Sequence, residues 1–270
     1  MFRRFSLATL ASCAVLALTM QLALGQDFRI DTDVFLGDEK TPCSEALTIF
    51  HQGLVYDFLL AQPEEITIYD AQRGRFTLLD PERKRKASVT TQELLDFVLQ
   101  FESHAAQSKN ALFAFSAAPK FATAIEELTV NGQPQTKISL TAKPLEYFAV
   151  GRPCEHPEAV GLYRQFADWT ARLNATRHGN LPPGARLALN ATLADQQLLP
   201  LEVTKIIPAA TPLSRKLEMR TQHLVNWSLS GEDRKRIDRA GEHLVSLRSV
   251  SFDEYRTAPS APPASKQARR

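Results

Sequence analysis

Side chains able to do chemistry are present in this chain, but they are not arranged in known motifs. Carboxylates sit near the ends of three alternating segments, at Asp57, Asp70 and Asp80. Such positions suit catalytic acids and bases, and they equally suit turns, where a short carboxylate accepts from nearby amides. The turn role is the expectation for all three. The histidines, at 51, 104, 156, 178, 223 and 243, are scattered, with no two at metal-ligand spacing. Nucleophile elbows, zincin motifs, phosphate-cradling glycine loops and dinucleotide fingerprints do not occur. No catalytic residue, metal site or cofactor is therefore assigned. Trp169 and Trp227 are candidate pocket walls, though a buried indole is more often core. Asn174-Ala175-Thr176, Asn190-Ala191-Thr192 and Asn226-Trp227-Ser228 match glycosylation sequons.

The N-terminus speaks of compartment. Arg3 and Arg4 precede an uncharged run from Phe5 to Leu24, and Ala23-Leu24-Gly25 offers small residues for cleavage before Gln26. Residues 1–25 are therefore expected to be a cleavable signal peptide, placing the mature chain in a periplasm, a cell envelope or the medium. The same run is long enough to serve as an uncleaved anchor, and Leu10-Ala11-Ser12-Cys13 resembles a lipobox. The chain has 32 Lys and Arg against 30 Asp and Glu; cleavage would remove Arg3 and Arg4 and leave no formal net charge. That balance argues against a nucleic-acid binder, which needs excess cation. Past the leader no apolar run is long enough to span a bilayer, so membrane contact is expected to be peripheral at most. Two cysteines, Cys43 and Cys154, would remain, and in an exported protein a disulfide between them is expected over a metal site, with unpaired thiols the alternative.

The positioning elements are legible from periodicity. Residues 28–34 alternate, as do 47–50 and 54–58. Residues 65–69 and 75–79 predict two strands joined by Asp70-Ala71-Gln72-Arg73-Gly74, giving a meander of five strands. Arg83-Lys84-Arg85-Lys86 is expected to be a solvated turn, with an anionic-surface patch as the alternative. Thr90-Thr91-Gln92-Glu93 reads as a capping box, and Leu94, Leu95, Val98, Phe101 and Ala105 follow at helical spacing. Residues 111–115 form a second apolar segment on the same face of the sheet. Strands are expected over 125–130, 137–141 and 145–150, with Asn131-Gly132 as a turn.

Residues 153–157 break the pattern and are the candidate subdomain boundary. Residues 158–174 predict a helix with Val160, Tyr163, Phe166, Ala167, Thr170 and Leu173 on one stripe, stopped by Pro182-Pro183-Gly184. Residues 186–193 and 198–207 are read as a hairpin, and 216–229 as a further alternating segment. Ser230 caps a last helix with Glu232 and Asp233 in its first turn, and the Pro- and Ala-rich tail from Thr257 is expected to be disordered. The expected fold class is thus α+β, one domain over 26–256 with a large antiparallel, curved sheet of many strands covered by helices on one face.

Glu65-Ile66-Thr67-Ile68-Tyr69-Asp70, then Gly74-Arg75-Phe76-Thr77-Leu78-Leu79-Asp80-Pro81 and a helix, resemble the LolA-type lipoprotein-carrier superfamily. The resemblance spans about residues 28–107 and implies an open sheet closed by helices around a cavity for acyl chains. The chain departs from that family in lacking a long helix before its first strand. The leading expectation is a non-catalytic exported binding or carrier protein for an apolar ligand, a lipid or lipoprotein acyl chain. Phe58, Ile66, Ile68, Phe76 and Leu78 are its candidate lining by strand alternation. The alternatives are an envelope structural module acting through a protein partner, and a hydrolase without a recognisable motif.

Overall fold

The computed structural model describes residues 27–61, 63–209 and 215–257. The expected leader and lipobox, and the tail beyond Thr257, lie outside the described residues.

The first half is a meander of six strands: β1 (Phe28–Leu36), β2 (Ser44–His51), β3 (Leu54–Leu59), β4 (Glu65–Asp70), β5 (Arg75–Asp80) and β6 (Arg85–Thr90). Two helices follow, α1 (Thr91–Ala106) and α2 (Ala111–Ala117). The second meander begins with β7 (Ala122–Val130), β8 (Gln133–Ala142) and β9 (Leu145–Pro153). After α3 (Pro157–Ala175) and α4 (Gly184–Asp195) it resumes with β10 (Leu198–Ile207) and β11 (Leu217–Asn226). The chain ends in α5 (Gly231–Ser246), β12 (Arg248–Ser249) and α6 (Phe252–Thr257).

These strands form one twelve-stranded sheet in the order β12-β6-β5-β4-β3-β2-β1-β11-β10-β9-β8-β7. Every pairing is antiparallel except the short β12–β6 contact. The two meanders are fused where β1 pairs with β11, from Arg29↔Asn226 to Leu36↔Met219. The stretch 153–157 is the turn from β9 into α3 within this continuous sheet.

Local sequence explains the ends of several elements. The Thr90 hydroxyl accepts from the Glu93 amide at 3.1 Å, and Glu93 accepts from the Thr90 amide at 2.7 Å, closing the expected capping box. Ser230 and Asp233 repeat it at the start of α5. Asn131 and Gly132 take φ of 52° and 73°, the left-handed pair that a two-residue hairpin needs, and they join β7 to β8.

Strand alternation gives the sheet two faces. On the inner face Phe28, Ile30, Phe50, Tyr69, Phe76 and Val89 pack against Leu94 of α1 and Phe166 and Leu173 of α3. Further along, Ile138, Leu140 and Tyr147 pack under Leu189 and Leu193 of α4, with Leu112 and Phe115 of α2 beside them. On the outer face Leu47, Ile49, Phe58, Ile66, Ile68 and Leu79 pack against Ile237, Ala240 and Leu244 of α5. Helices therefore lie on both faces, and the expectation of one covered face is corrected. The cause is compositional: β2 to β5 are apolar on both faces, so each face needs cover.

Three local readings are also corrected. Residues 186–193 are helical, not one arm of a hairpin. Leucines at 187, 189 and 193 satisfy strand alternation, but Ala185, Leu189 and Leu193 also stand four apart, and that stripe is the buried one. Pro183 starts α4 rather than stopping α3, accepting from the amides of Arg186 and Leu187 at 2.9 and 3.0 Å. The basic run is a solvated turn only in its first half, Arg83-Lys84, where Lys84 is exposed. Arg85 is buried in β6, pairs with Asp80 at 3.1 Å and lies 4.8 Å over the Tyr255 ring, while Lys86 donates to the Leu244 carbonyl at the end of α5.

Cys43 and Cys154 are unpaired. The Cys43 amide bonds Val34 at the end of β1 that faces the start of β11, and Cys154 follows β9 where it meets the start of β10. They stand at opposite ends of the strands, and a bridge would need Cα atoms within roughly 7 Å.

Candidate functional site

A cavity of about 440 Å³ lies between the inner face of the sheet and helices α3 and α4. The fold makes it at the join of the two meanders. There β1, β2 and β3 present Ile30, Ala46, Thr48 and Asp57, while β9, β10 and β11 present Tyr147, Lys205, Thr221 and His223. Many of these side chains are small or polar, so the sheet does not fill the space beneath the helices. The roof is α3, with Tyr163, Phe166, Ala167 and Thr170 of the predicted stripe facing inward and Asn174 beside them. Gly184 brings α4 close to α2: a Cβ there would stand 2.7 Å from the Ser116 carbonyl oxygen and 2.8 Å from that of Ala117.

Most of the wall is apolar, with polar and titratable side chains set among it. His223 is held between two hydroxyls, Nδ1 to Thr32 at 3.0 Å and Nε2 to Thr221 at 3.1 Å. Burial, and secondly the charge of Arg186, push its pKa down to about 3, so the imidazole is neutral. Burial and then Arg186 also lower the pKa of Lys205. The Arg186 Nε donates to Asn190 at 2.9 Å, and Asn190 in turn donates to Asp168 at 2.8 Å. Tyr163, its pKa raised by burial, hydrogen-bonds Arg186 as well. The Thr170 hydroxyl is buried without a partner. Across the cavity Thr48 donates to Asp57 at 2.6 Å. Burial raises the Asp57 pKa against that bond, Glu65 raises it further and Arg177 opposes.

This site was missed by sequence reasoning except for the α3 stripe. Asp57 is not a turn residue. It points inward from the middle of β3, whereas Asp70 and Asp80 do accept from the turn amides of Arg73 and Arg83, each at 2.9 Å. The five candidate lining residues do not share a face. Register pairs Ile66 with Leu79 and Ile68 with Thr77, so Phe58, Ile66 and Ile68 lie under α5 while Phe76 and Leu78 face α1 and α3. All five are packed in filled core and none lines the cavity. Neither tryptophan lines it: Trp169 lies under the Arg172 guanidinium at 4.8 Å, and Trp227 packs on Phe28 and His156. Asn190 is 2% exposed and its amide is engaged, so the folded chain withholds that sequon.

Besides a hollow of about 570 Å³ along β1, β10 and β11, two hollows of about 910 Å³ each flank the β2–β3 hairpin and the α1–α2 corner. Neither gathers buried polar groups that lack partners. Among the described residues no group of His, Cys, Asp and Glu could hold a metal ion, and no helix is long and apolar enough to cross a membrane.

Fold and cavity together define an α+β protein built on one large, mostly antiparallel sheet, with a cavity of mixed lining between the sheet and its helices. No family model matches the chain, and no curated protein does. Among solved structures the chain is similar to PNGF-II, in crystals of space groups P21 and C2. Each is 9% identical with a TM-score of 0.37, and the match covers 84% of this chain. The chain spans about a third of those proteins, 32% and 31% of their lengths.

Proposed function

We propose that the chain is an exported, non-catalytic binding or carrier protein that takes an apolar or amphipathic ligand such as a lipid or acyl chain. The observation that carries this reading is the cavity of about 440 Å³, mostly apolar, between the sheet and α3 and α4. Its volume falls in the range of small-molecule sites, roughly 300–1,000 Å³. The pattern of residues 65–81 that resembles LolA-type carriers points the same way, as does the leader-like N-terminus. The test is organic extraction of protein purified without detergent after export, followed by mass spectrometry against a mock preparation. A stoichiometric amphiphile supports the reading. An empty protein that also fails to take up acyl ligands added in solution sinks it.

One observation favours a second reading, a hydrolase: Asp57, Lys205 and His223 line one cavity with displaced pKa values. Such an enzyme would turn over members of a small ester panel, and Lys205→Met and Asp57→Asn would abolish that turnover. No turnover of any ester removes this reading.

A further inference from the structure

We infer that the ligand is an amphiphile with a terminal carboxylate, its head held by Arg186 and Lys205 and its tail lying along Ile30, Phe166 and Met219. This inference rests on the carrier reading above and adds the chemistry of the head.

The argument is one of charge and unused hydrogen bonds. Arg186 and Lys205 both line the cavity and come from different elements, α4 and β10. They are close enough for Arg186 to disfavour the charged form of Lys205. Among the described residues neither side chain forms an ion pair, and the Lys205 ammonium has no hydrogen-bond partner. Other arginines of the chain find carboxylates: Arg29 pairs with Asp233, Arg85 with Asp80 and Arg177 with Glu65.

The nearest carboxylate on this chain of contacts, Asp168, is kept one residue away by Asn190, which takes the Arg186 Nε itself. That leaves guanidinium N–H groups beyond the Asn190 and Tyr163 bonds, directed from a fork that suits a planar carboxylate. Asp57 does not neutralise this end; its charge is felt with Glu65 and Arg177 on the other side. His223 adds no charge to this end, being neutral.

Two neighbouring cations in a low-dielectric cavity are costly unless an anion joins them. A carboxylate there would accept from the Lys205 ammonium and the Arg186 fork. The apolar remainder of the wall suits a hydrocarbon tail rather than a polar metabolite.

The test compares dodecanoate, dodecanol and dodecyltrimethylammonium by titration calorimetry on the delipidated full chain. These probes share a tail length and differ in the charge of the head. Dodecanoate is expected to bind at least about tenfold more tightly than dodecanol, as a charge-assisted contact to two cations would give, and the ammonium compound most weakly. In Lys205→Met and Lys205→Gln the dodecanoate-to-dodecanol ratio is expected to fall several-fold, and Lys205→Arg should restore it. Circular dichroism verifies that each variant is folded. If the three probes bind alike, or if the ratio survives in both Lys205→Met and Lys205→Gln, the inference is overturned while the carrier reading stands. If none of the probes binds, both fall together.

Discussion

Acidification from pH 7 to 4.5 should destabilise the protein through His223 in particular. The free imidazole pKa is 6.5, and in the folded chain burial and then the Arg186 charge hold it at about 3. The folded pKa is depressed, so above 6.5 neither state binds the proton and the stability is complete. Below 6.5 the unfolded chain takes up a proton that the folded chain refuses, and stability is lost progressively down towards pH 3. With those two values the loss between pH 7 and 4.5 is about 2.5 kcal/mol, lessened by whatever screening cavity water supplies. Burial and the cationic Arg186 on α4 keep the imidazolium unfavourable over this range. Other groups also titrate here, among them Asp57, whose raised pKa gives the opposite slope above its ordinary 3.8. The informative quantity is therefore the difference between wild type and His223→Gln, measured by urea unfolding at several pH values. The amide can donate to one threonine and accept from the other, standing in for the neutral ring between Thr32 and Thr221. The wild type should lose its lead over His223→Gln by about 1–2.5 kcal/mol on going to pH 4.5. A difference that stays constant across the range would refute the burial argument.

Four further expectations follow from named contacts. Asp57→Asn keeps the bond from Thr48 and removes a carboxylate whose charged form is disfavoured by burial, so it should raise the melting temperature at pH 7, with the gain shrinking as the pH falls towards 4. Gly184→Ala drives a methyl into the Ser116 and Ala117 carbonyls and should cost about 1–3 kcal/mol in urea unfolding. Asp233→Ala removes the carboxylate half of the α5 capping box, which accepts from the Ser230 amide at 2.7 Å, and leaves Arg29, whose Nη1 donates to Asp233 at 2.8 Å, with Asp31 alone; it should cost about 1–3 kcal/mol at neutral pH. Its Asp233 carboxyl has a lowered pKa, so that cost should fade as the pH drops through the carboxylate range. Cys43 and Cys154 should both react with a disulfide reagent in the native protein, the exposed Cys43 before Cys154, whose pKa is raised by burial.

Sequence alone determined what depends on neighbours in the chain. Strands β1 to β5 announced themselves by alternation, the β7–β8 hairpin by Asn131-Gly132, and α1 and α5 by a capping residue with its carboxylate three positions on. The inward stripe of α3 was legible too, because helical spacing puts Tyr163, Phe166, Ala167 and Thr170 on one side whatever they meet. Tertiary structure decided what depends on residues distant in the chain. Pairing of β1 with β11 brings Thr32 beside His223 across nearly the whole chain, and no local pattern encodes it. The same pairing makes the cavity, turns Asp57 from a supposed turn residue into a wall of it, and sets Cys43 and Cys154 at opposite ends of the strands. Residues 186–193 satisfy both a period of two and a spacing of four, and packing against the sheet selected the helix. The split of Phe58, Ile66 and Ile68 from Phe76 and Leu78 has the same origin: alternation shows that faces differ, but only register and the helix laid on each face settle which side a residue takes.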